Sequence, residues 1–267
     1  MMRIPVRTDE QIAGMRECNR RLGVMLDELT DMVKPGVSTA YINEQAEGLI
    51  EKLGCRTNFK GYEGFPAAVC TSVNDEIVHG IPSQKRILKE GDILSIDAGM
   101  ELNGLHSDAA RTVGVGDISP ECRKLIDETR ASFFAAMAVA KAGGRLYDIS
   151  NAVASYIEDI GEGYGIVREL TGHGIGTSVH ENPMIPNYRK RLRGPRLRAG
   201  NTLAIEPMIT MGRPDIEILG DDWTVVTSDG SWAAHYENTI LITDGYPEIL
   251  SLGDKEKEMG FPVPGNI

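Results

Sequence analysis

Apolar positions follow two different periods along this chain, and the change of period marks its predicted elements. In four segments the apolar residues recur every three or four positions, which is the spacing of a helix with one buried face. Three of these helices begin at typical N-cap residues, and glycines end or separate them. The N-caps are Thr8, Ser38 or Thr39, and Ser119, and the glycines are Gly36, Gly54 and Gly143-Gly144.

Segments rich in branched apolar residues lie between the two helix pairs, and turn residues bound them, so they predict strands. The predicted strands are 67–73, 93–100, 105–115, 202–210, 223–227 and 232–243. Asn103-Gly104 predicts a tight hairpin between the second and third of them. The order helix, helix, strands, stated twice, predicts an α+β sandwich with helices on one face of a mostly antiparallel sheet.

The chain also repeats itself at a spacing of slightly more than 100 residues. Lys89 to Asp97 is echoed by Arg198 to Glu206, and His106-Ser107-Asp108 by His235-Tyr236-Glu237. A period this long exceeds that of solenoids, so it predicts two halves related by a pseudo-twofold axis, the alternative being chance similarity. The predicted single domain is 1–267, with half-repeats at about 1–118 and 119–267.

Composition and charge narrow the class of protein. The 267 residues include 28 Lys and Arg against 39 Asp and Glu, and the net charge of -11 argues against a nucleic-acid partner while it suits cations. The four cysteines form no Cys-x-x-Cys pair, which fits a reducing compartment. Because no apolar run approaches the length of a membrane span and the first residues are polar, we expect a cytoplasmic protein without a membrane contact.

Each half of the repeat delivers two carboxylates at the ends of apolar strands. The hairpin should place Asp97 and Asp108 within about a residue of facing each other, with Cβ atoms about 4.5 to 5.5 Å apart. Carboxylates this close repel each other unless a cation lies between them. With Glu206 and Glu237 from the second half, four carboxylates suit two divalent cations about 3.5 to 4 Å apart better than one zinc ion. The alternative is that these acids are solvated strand ends.

Histidine is the natural complement of such a site. His173 stands in Thr171-Gly172-His173-Gly174-Ile175-Gly176, where the glycines would let the backbone approach a ligand closely, and we predict it to be a metal ligand. His79 and His180 are candidates for the chemistry itself, or structural histidines. Mixed oxygen and imidazole ligands accept Mn, Fe, Co, Ni or Zn, so the working metal cannot be read from the chain.

Taken in order and context, Asp97, Asp108, His173, Glu206 and Glu237 resemble the five metal ligands of the type I methionine aminopeptidases, which share the duplicated "pita-bread" fold. The resemblance covers essentially the whole chain. It includes Gly64 to Cys70, the loop 79–82, and the motifs around His173, Glu206 and Glu237. Only 25 residues separate His180 from Glu206, which leaves no room for the helical insertion typical of type II.

The resemblance implies removal of the initiator methionine from nascent chains by a dinuclear metal centre. It implies that Asp108 and Glu237 bridge two divalent metals, that Asp97 belongs to one metal, and that His173 and Glu206 belong to the other. A metal-bridging hydroxide would attack the scissile carbonyl, with Glu206 as proton acceptor. His180 would donate to the oxyanion, and His79 would contact the scissile amide.

The resemblance also assigns the methionine pocket by position. The candidates are Tyr62, Phe65, Cys70, His79, His180 and Trp223, of which the aromatic residues and Cys70 could equally belong to the core. Glu63, Phe65 and Val179 depart from the residues common in the family, which affects the expected pocket shape but not the reaction. His235 is expected either to hold a ligand in place or to be a strand residue.

Two other readings of the same residues stay open. An aminopeptidase P or prolidase of the same fold would use the same five ligands, although those relatives usually carry an extra N-terminal domain. A non-catalytic pita-bread binding protein would generally have lost ligands that are all present here. We expect a monomer that acts on N-terminal Met peptides of nascent chains, with transient ribosome association as a hypothesis from the substrate.

Overall fold

A computed structural model describes residues 4–260 of the chain, and the elements appear in the predicted order of helix pair, strands, helix pair and strands. The helices of this range are α1 (Asp9–Asp31), α2 (Thr39–Lys52), α3 (Pro120–Met137), α4 (Leu146–Asp159) and α5 (Asp254–Glu258). None of them, in the described part of the chain, combines the length and the apolarity that a membrane crossing requires. The ends of the predicted domain, 1–3 and 261–267, lie outside the described residues.

Besides one short 3₁₀ helix, Tyr62–Gly64, the remaining described elements are fifteen strands. They are β1 (Arg56–Thr57), β2 (Val69–Val73), β3 (Glu76–Val78), β4 (Ile93–Leu102), β5 (Leu105–Gly114), β6 (Gly165–Ile166), β7 (Gly172–Gly174), β8 (Glu181–Ile185), β9 (Thr202–Ile205), β10 (Met208–Thr210), β11 (Ile216–Ile218), β12 (Val225–Thr227), β13 (Ala233–His235), β14 (Glu237–Leu241) and β15 (Glu248–Ile249). The pairs between them within residues 4–260 are antiparallel, as predicted.

The helices begin where the sequence predicts. Thr8 accepts a hydrogen bond from the Gln11 backbone and the Gln11 side chain accepts one from the Thr8 backbone, which completes a capping box. Ser38 caps α2, and Ser119 caps α3 with Pro120 in its first turn. These side chains satisfy backbone donors that the first turn of a helix leaves unpaired.

One nine-stranded sheet organises the molecule, in the order β1-β4-β5-β14-β9-β7-β8, with β2 paired to β4 and β15 to β14. Strand β4 shows how its two faces differ. Leu94, Ile96 and Ala98 pack into a buried core against α1 and α2, whereas Asp97 points to the opposite face because side chains alternate along a strand. A second core lies under α3 and α4. The helices therefore cover one face of the sheet, and the acidic residues occupy the other.

Two predicted strands are in fact interrupted. The segment 202–210 divides into β9 and β10 at Glu206-Pro207, and 232–243 divides into β13 and β14 at Tyr236. Pro207 has no amide hydrogen to continue a ladder, and its carbonyl accepts instead from the Tyr236 backbone. The chain leaves the large sheet at these points, and β10 pairs with both β13 and β6 in a separate sheet. The prediction of two continuous strands was wrong here.

The hairpin at Asn103-Gly104 forms as predicted, with both residues at positive φ and Leu102 opposite Leu105. Its register differs slightly from the expectation. Asp97 faces Ala110 and Asp108 faces Gly99, so the two acids lie on the same face two positions apart rather than directly opposite. They are diagonal neighbours, still within reach of each other.

Candidate metal centre

The five predicted ligands come together because they occupy two adjacent rows on the open face of the sheet. In the first row, Asp97 faces Ala110, Ala110 faces Glu237, and the register of β14 with β9 brings Glu206 to the far end. The second row consists, in order across the sheet, of Gly99, Asp108, Thr239, Ala204 and His173. Antiparallel register thus places residues distant in sequence side by side.

Small side chains keep the space between these rows open. Ala110 lies between Asp97 and Glu237 in the first row, and Ala204 lies beside His173 in the second. The glycines beside His173 have a different role from the expected one: a Cβ at Gly172 would lie 2.5 Å from the Ala204 carbonyl oxygen, and one at Gly174 would collide with the Asn182 carbonyl. They permit close packing of neighbouring strands rather than approach of a ligand.

The imidazole of His173 is oriented for coordination. Its Nδ1 lies 3.0 Å from the Gly174 carbonyl oxygen, which can only accept, so Nδ1 carries the ring proton. Its Nε2 therefore presents a lone pair to the carboxylates, 3.8 Å from Asp108 Oδ2 and 3.6 Å from Glu206 Oε1. Burial lowers the pKa of His173 to about 3, which keeps the ring neutral. A lone pair facing two carboxylates fits a cation between them.

Three of the carboxylates are buried and incompletely hydrogen-bonded within the described chain. Asp97, Asp108 and Glu237 are each less than a tenth exposed, and each has one oxygen without a hydrogen-bond partner among the described residues. Burial raises the pKa of Asp97 to about 7. Burial, together with repulsion from the neighbouring acids, raises the pKa of Asp108, Glu206 and Glu237 well above the usual range.

Such unpaired acids are costly in a folded protein unless a cation neutralises them. Donor atoms of His173, Glu206 and Glu237 lie within 4.8 Å of one another, as do those of Asp97, His235 and Glu237. Oxygen and imidazole donors of this kind bind divalent transition metals. The residues present therefore fit a divalent metal centre.

His235 approaches this cluster from behind. It is 1 % exposed, its Nε2 lies 3.5 Å from Glu237 Oε2, and neither ring nitrogen has a hydrogen-bond partner in residues 4–260. Burial lowers its pKa to about 3. The sequence indicated this histidine only through its place in the repeat, and the structure places it in contact with a predicted ligand.

A cavity of about 300 Å³ opens directly onto the carboxylates. All the predicted site residues line it: Tyr62, Phe65, Cys70, His79, Asp97, Asp108, His173, His180, Glu206, Trp223 and Glu237. Six further residues complete the wall, namely Phe59, Glu63, Val78, Leu170, Thr171 and Met208. Sequence reasoning singled out Glu63 but did not predict the other five as cavity residues, because they come from separate loops and strands without a shared pattern.

The cavity wall is aromatic on one side. The Phe65 and Trp223 rings meet edge to face with centroids 5.1 Å apart, and Cys70 lies beside Asp97 through the pairing of β2 with β4. Of the three departures from the family pattern, Glu63 and Phe65 line the cavity, whereas Val179 is buried and does not appear among the described lining residues. The slot next to the carboxylates is therefore apolar, with one acidic residue at its rim.

Two further histidines flank the slot. His180 stands 4.3 Å from His173 between ring centroids, and its Nδ1 lies 3.0 Å from the Tyr62 hydroxyl oxygen. Partial burial of the imidazole lowers the pKa of His180, although part of the side chain stays exposed to solvent. His79 adopts a φ of 59°, an unusual conformation for a non-glycine residue, and burial lowers its pKa to about 4. Both rings are neutral near pH 7 and can donate or accept one hydrogen bond at each nitrogen.

Buried carboxylates and an imidazole at the floor of an apolar cavity, carried on an α+β sandwich, define the class of metal-dependent hydrolases. The model of the metallopeptidase family M24 matches residues 13–244, and the chain belongs to this family.

Known relatives agree on the class. The chain is 50 % identical over 249 residues to a methionine aminopeptidase from Clostridium acetobutylicum, covering 93 % of this chain and 99 % of that protein. A crystal structure of the methionine aminopeptidase from Thermotoga maritima superposes with a TM-score of 0.91 at 39 % identity, over 94 % of this chain and all of that one. The Xaa-Pro dipeptidase of Bacillus anthracis shares the fold, with a TM-score of 0.73 at 21 % identity, over 92 % of this chain and 61 % of that one. The pita-bread fold is therefore confirmed.

Proposed function

We propose that this chain is a metal-dependent aminopeptidase that removes the N-terminal methionine from newly made polypeptides. The observation that carries the proposal is the apolar slot of about 300 Å³ whose floor is the carboxylate cluster. A methionine side chain is unbranched and polarisable, so it suits a slot walled by Phe65, Cys70 and Trp223. The methionine aminopeptidases named above are similar to this chain along nearly its whole length.

The proposed ligands divide between two divalent cations. Asp108 and Glu237, at the centre of the two rows, would be shared by both cations, with Asp97 on one side and His173 and Glu206 on the other. Cations held there would lower the pKa of a bound water to near neutrality and polarise the scissile carbonyl. Co, Mn, Fe, Ni and Zn all remain candidates, because this donor set accepts each of them.

Glu206 is placed to handle the proton of the attacking water. It lies at the end of its row, lines the cavity, and is more exposed than Glu237. Burial and repulsion from Asp108 raise the pKa of its carboxyl group, and a cation held beside it would keep the carboxylate ionised and able to accept a proton. We assign it the role of general base and then general acid.

His180 and His79 act on the substrate side. When the Tyr62 hydroxyl donates to His180 Nδ1, the neutral ring carries its own proton on Nε2 and can donate it to the developing oxyanion. His79, held beside Trp223 with ring centroids 6.1 Å apart, is assigned a contact with the scissile amide. Each role needs only one hydrogen bond from a neutral imidazole.

Two alternatives use the same fold. An enzyme that cleaves before proline would keep the five ligands, and the Xaa-Pro dipeptidase named above shares the fold of this chain. A non-catalytic binding protein would not need the buried acids, which are costly to keep without a cation. The higher similarity to methionine aminopeptidases, and the retention of all five residues, favour the proposed activity.

The same proposal extends to the location, the partners and the oligomeric state of the enzyme. The substrates, N-terminal Met peptides of nascent chains, imply a cytoplasmic enzyme that meets the ribosome transiently. We further propose that the enzyme is a monomer and that its domain consists of two half-repeats dividing near residue 118. Co-sedimentation with ribosomes at physiological salt tests the association, and absence from the pellet would count against it.

Hydrolysis of two peptides tests the activity. Metal-stripped protein is offered Met-Ala-Ser or Ala-Pro-Ala, with and without added Co or Mn, and release of the first residue is followed. We expect release of methionine only when metal is present. Release of alanine from Ala-Pro-Ala would move the assignment to the proline-specific branch, and no release from either peptide would favour a binding protein.

A further inference from the structure

The negative charge of this protein is not evenly distributed. Residues 189–198, which we call the basic segment, carry six cationic side chains in ten positions and no acid. The six are Arg189, Lys190, Arg191, Arg193, Arg196 and Arg198. No acidic residue occurs between Glu181 and Glu206, although the chain as a whole has a net charge of -11. The segment is therefore a local exception to the overall charge.

Half of these cations have partners, either on α4 or at Tyr188 just before the segment. Arg189 forms an ion pair with Glu158, and Arg193 lies 3.1 Å from Asp148, both on α4. The Lys190 ammonium lies over the Tyr188 ring, 4.9 Å from its centroid. These contacts hold the segment along α4 but leave the remaining cations unmatched.

The other three cations of the basic segment are exposed. Arg191, Arg196 and Arg198 are exposed, and none of them has an ion pair within residues 4–260. Intramolecular ion pairing thus does not account for their presence. A cluster of unpaired guanidinium groups attracts anions from solution.

The basic segment is fixed in place at several points. Asn187, just before it, donates to the Glu206 carbonyl oxygen at 2.9 Å, and the Lys190 backbone donates to Asn151 on α4. Near its end, the Leu197 backbone exchanges hydrogen bonds with Gly143 and Gly144. Backbone anchoring of this kind presents the arginines as a preformed surface, which reduces the ordering cost of binding.

We propose that the basic segment binds the phosphodiester backbone of RNA. Five of its six cations are arginines, whose planar guanidinium groups match phosphate oxygens two at a time. Tyr188 adds an aromatic ring beside the cations, a combination typical of surfaces that follow a nucleic-acid strand. The choice of RNA over DNA rests on the proposed function, because nascent chains are made where RNA is the abundant polyanion.

A membrane surface fits the segment less well. Binding in the plane of a membrane usually needs an amphipathic helix with a continuous apolar face. The basic segment contains no helix, and Leu192 is the one large apolar side chain within it that is strongly exposed, at 76 %. The contacts of the basic segment with a membrane would therefore be almost entirely with charged headgroups.

The test compares two triple variants of the full chain. In the first, Arg191→Gln, Arg196→Gln and Arg198→Gln remove the unpaired cations. In the control, Lys34→Gln, Lys52→Gln and Lys85→Gln remove three exposed charges beside α2, so the net charge changes equally. Fluorescence anisotropy follows binding to a labelled uridine oligomer of about 20 nucleotides, which is longer than one binding site.

For the unmodified protein we expect binding that weakens about 40- to 150-fold between about 25 and about 150 mM salt, the dependence for three to four phosphate contacts on a single strand. The arginine variant should bind at least about tenfold more weakly at the lower salt, and the control variant should bind as the unmodified protein does. Arg191→Gln alone should lose an intermediate amount of RNA affinity. This single variant replaces the triple variant in the test if the triple variant does not fold.

Several outcomes would overturn the proposal: equal RNA binding by the arginine variant, equal loss in both triple variants, tighter binding to a thymidine DNA oligomer, or binding only to anionic lipid vesicles. Absence of RNA binding by the unmodified protein at the lower salt would also overturn it. Methionine release from Met-Ala-Ser is measured in the same samples. RNA binding can therefore fail while the proposed activity stands, and the activity can fail while RNA binding stands.

Discussion

Strand β5 carries buried charge on both of its faces, and the protein balances that charge differently on each face. On the cavity face, Asp108 and Glu237 each keep an oxygen without a hydrogen-bond partner in the described chain. On the helix face, the Arg111 guanidinium donates to the Glu237 carbonyl oxygen at 2.6 Å and lies 3.5 Å from Glu256. Tyr236 donates its hydroxyl proton to the same Glu256 at 2.7 Å.

The pKa values of the acids express this difference. Burial alone would raise the pKa of Glu256, but Arg111, Tyr236 and Arg130 outweigh it and lower that pKa. Burial also raises the pKa of Asp108, and the neighbouring Glu237 and Asp97 raise it further. A cluster that serves stability is neutralised by the protein itself, whereas the cavity cluster leaves its charge for a cation.

The largest expected effect comes from neutralising a central acid of the cavity face. Asp108→Asn or Glu237→Gln keeps the shape of the side chain but removes a charge shared by both proposed cations. We expect methionine release to fall at least about 1,000-fold, equivalent to about 4 kcal/mol of barrier, together with bound metal. Peptide hydrolysis and elemental analysis of the purified variants measure the two losses.

The control for these variants is Glu217→Gln, an exposed acid on β11 that should change neither quantity. Full activity and full metal content in either central variant would show that the cavity acids are not the metal centre.

Arg111, Arg130, Tyr236 and Glu256 form what we call the balanced cluster. Breaking it should instead reduce stability. Glu256→Gln leaves Arg111 without its buried counter-charge, and we expect the free energy of unfolding to fall by about 3 to 5 kcal/mol. Urea denaturation of the metal-stripped protein measures this change. Asp254→Asn, an exposed change on the same helix, should shift it by less than about 0.5 kcal/mol. A similar shift for both variants would remove the contrast between the two faces.

His180→Ala should separate chemistry from metal binding. The ring touches Tyr62 and His173 but is assigned to the substrate, so metal content should stay unchanged while turnover falls about 100- to 1,000-fold. Tyr62→Phe, which removes only the hydroxyl group that orients the ring, should lower turnover by a smaller factor of about ten. Unchanged turnover in His180→Ala would show that the assigned role is wrong.

An effect smaller than the loss of a central acid is expected at His235, whose ring contacts Glu237. If its ring holds Glu237 in position, His235→Ala should weaken cation binding about 10- to 100-fold while His235→Gln keeps most of the affinity. Calorimetric titration with Mn measures the affinity directly. Equal affinity in all three proteins would mean that His235 is only a buried strand residue.

Local features of this chain were predictable because short-range chemistry decides them. The caps at Thr8, Ser38 and Ser119 and the turn at Asn103-Gly104 each depend on a few neighbouring residues. The repeat pointed to all the acids of the cavity floor, since apolar strands that end in carboxylates are unusual.

Long-range register was not predictable in the same way. Pairing of β5 with β14 joins residues more than 120 positions apart, and no local pattern specifies which residues face each other. Strands as short as β7 have too few positions to show a period. The Arg111–Glu256 contact likewise joins β5 to α5, so the balanced cluster could not be read from the sequence.

Calorimetric titration of metal-stripped protein with Mn or Co, at about pH 6 and about pH 8 and in buffers of different ionisation enthalpy, tests the central claim most directly. Because the raised pKa values leave the empty site partly protonated, cation binding should release more protons at the lower pH, with fewer released once the pH passes the Asp97 pKa of about 7. We expect tighter binding at the higher pH, and methionine release that rises with occupancy. Binding without proton release, or full activity before any cation is added, would contradict the account.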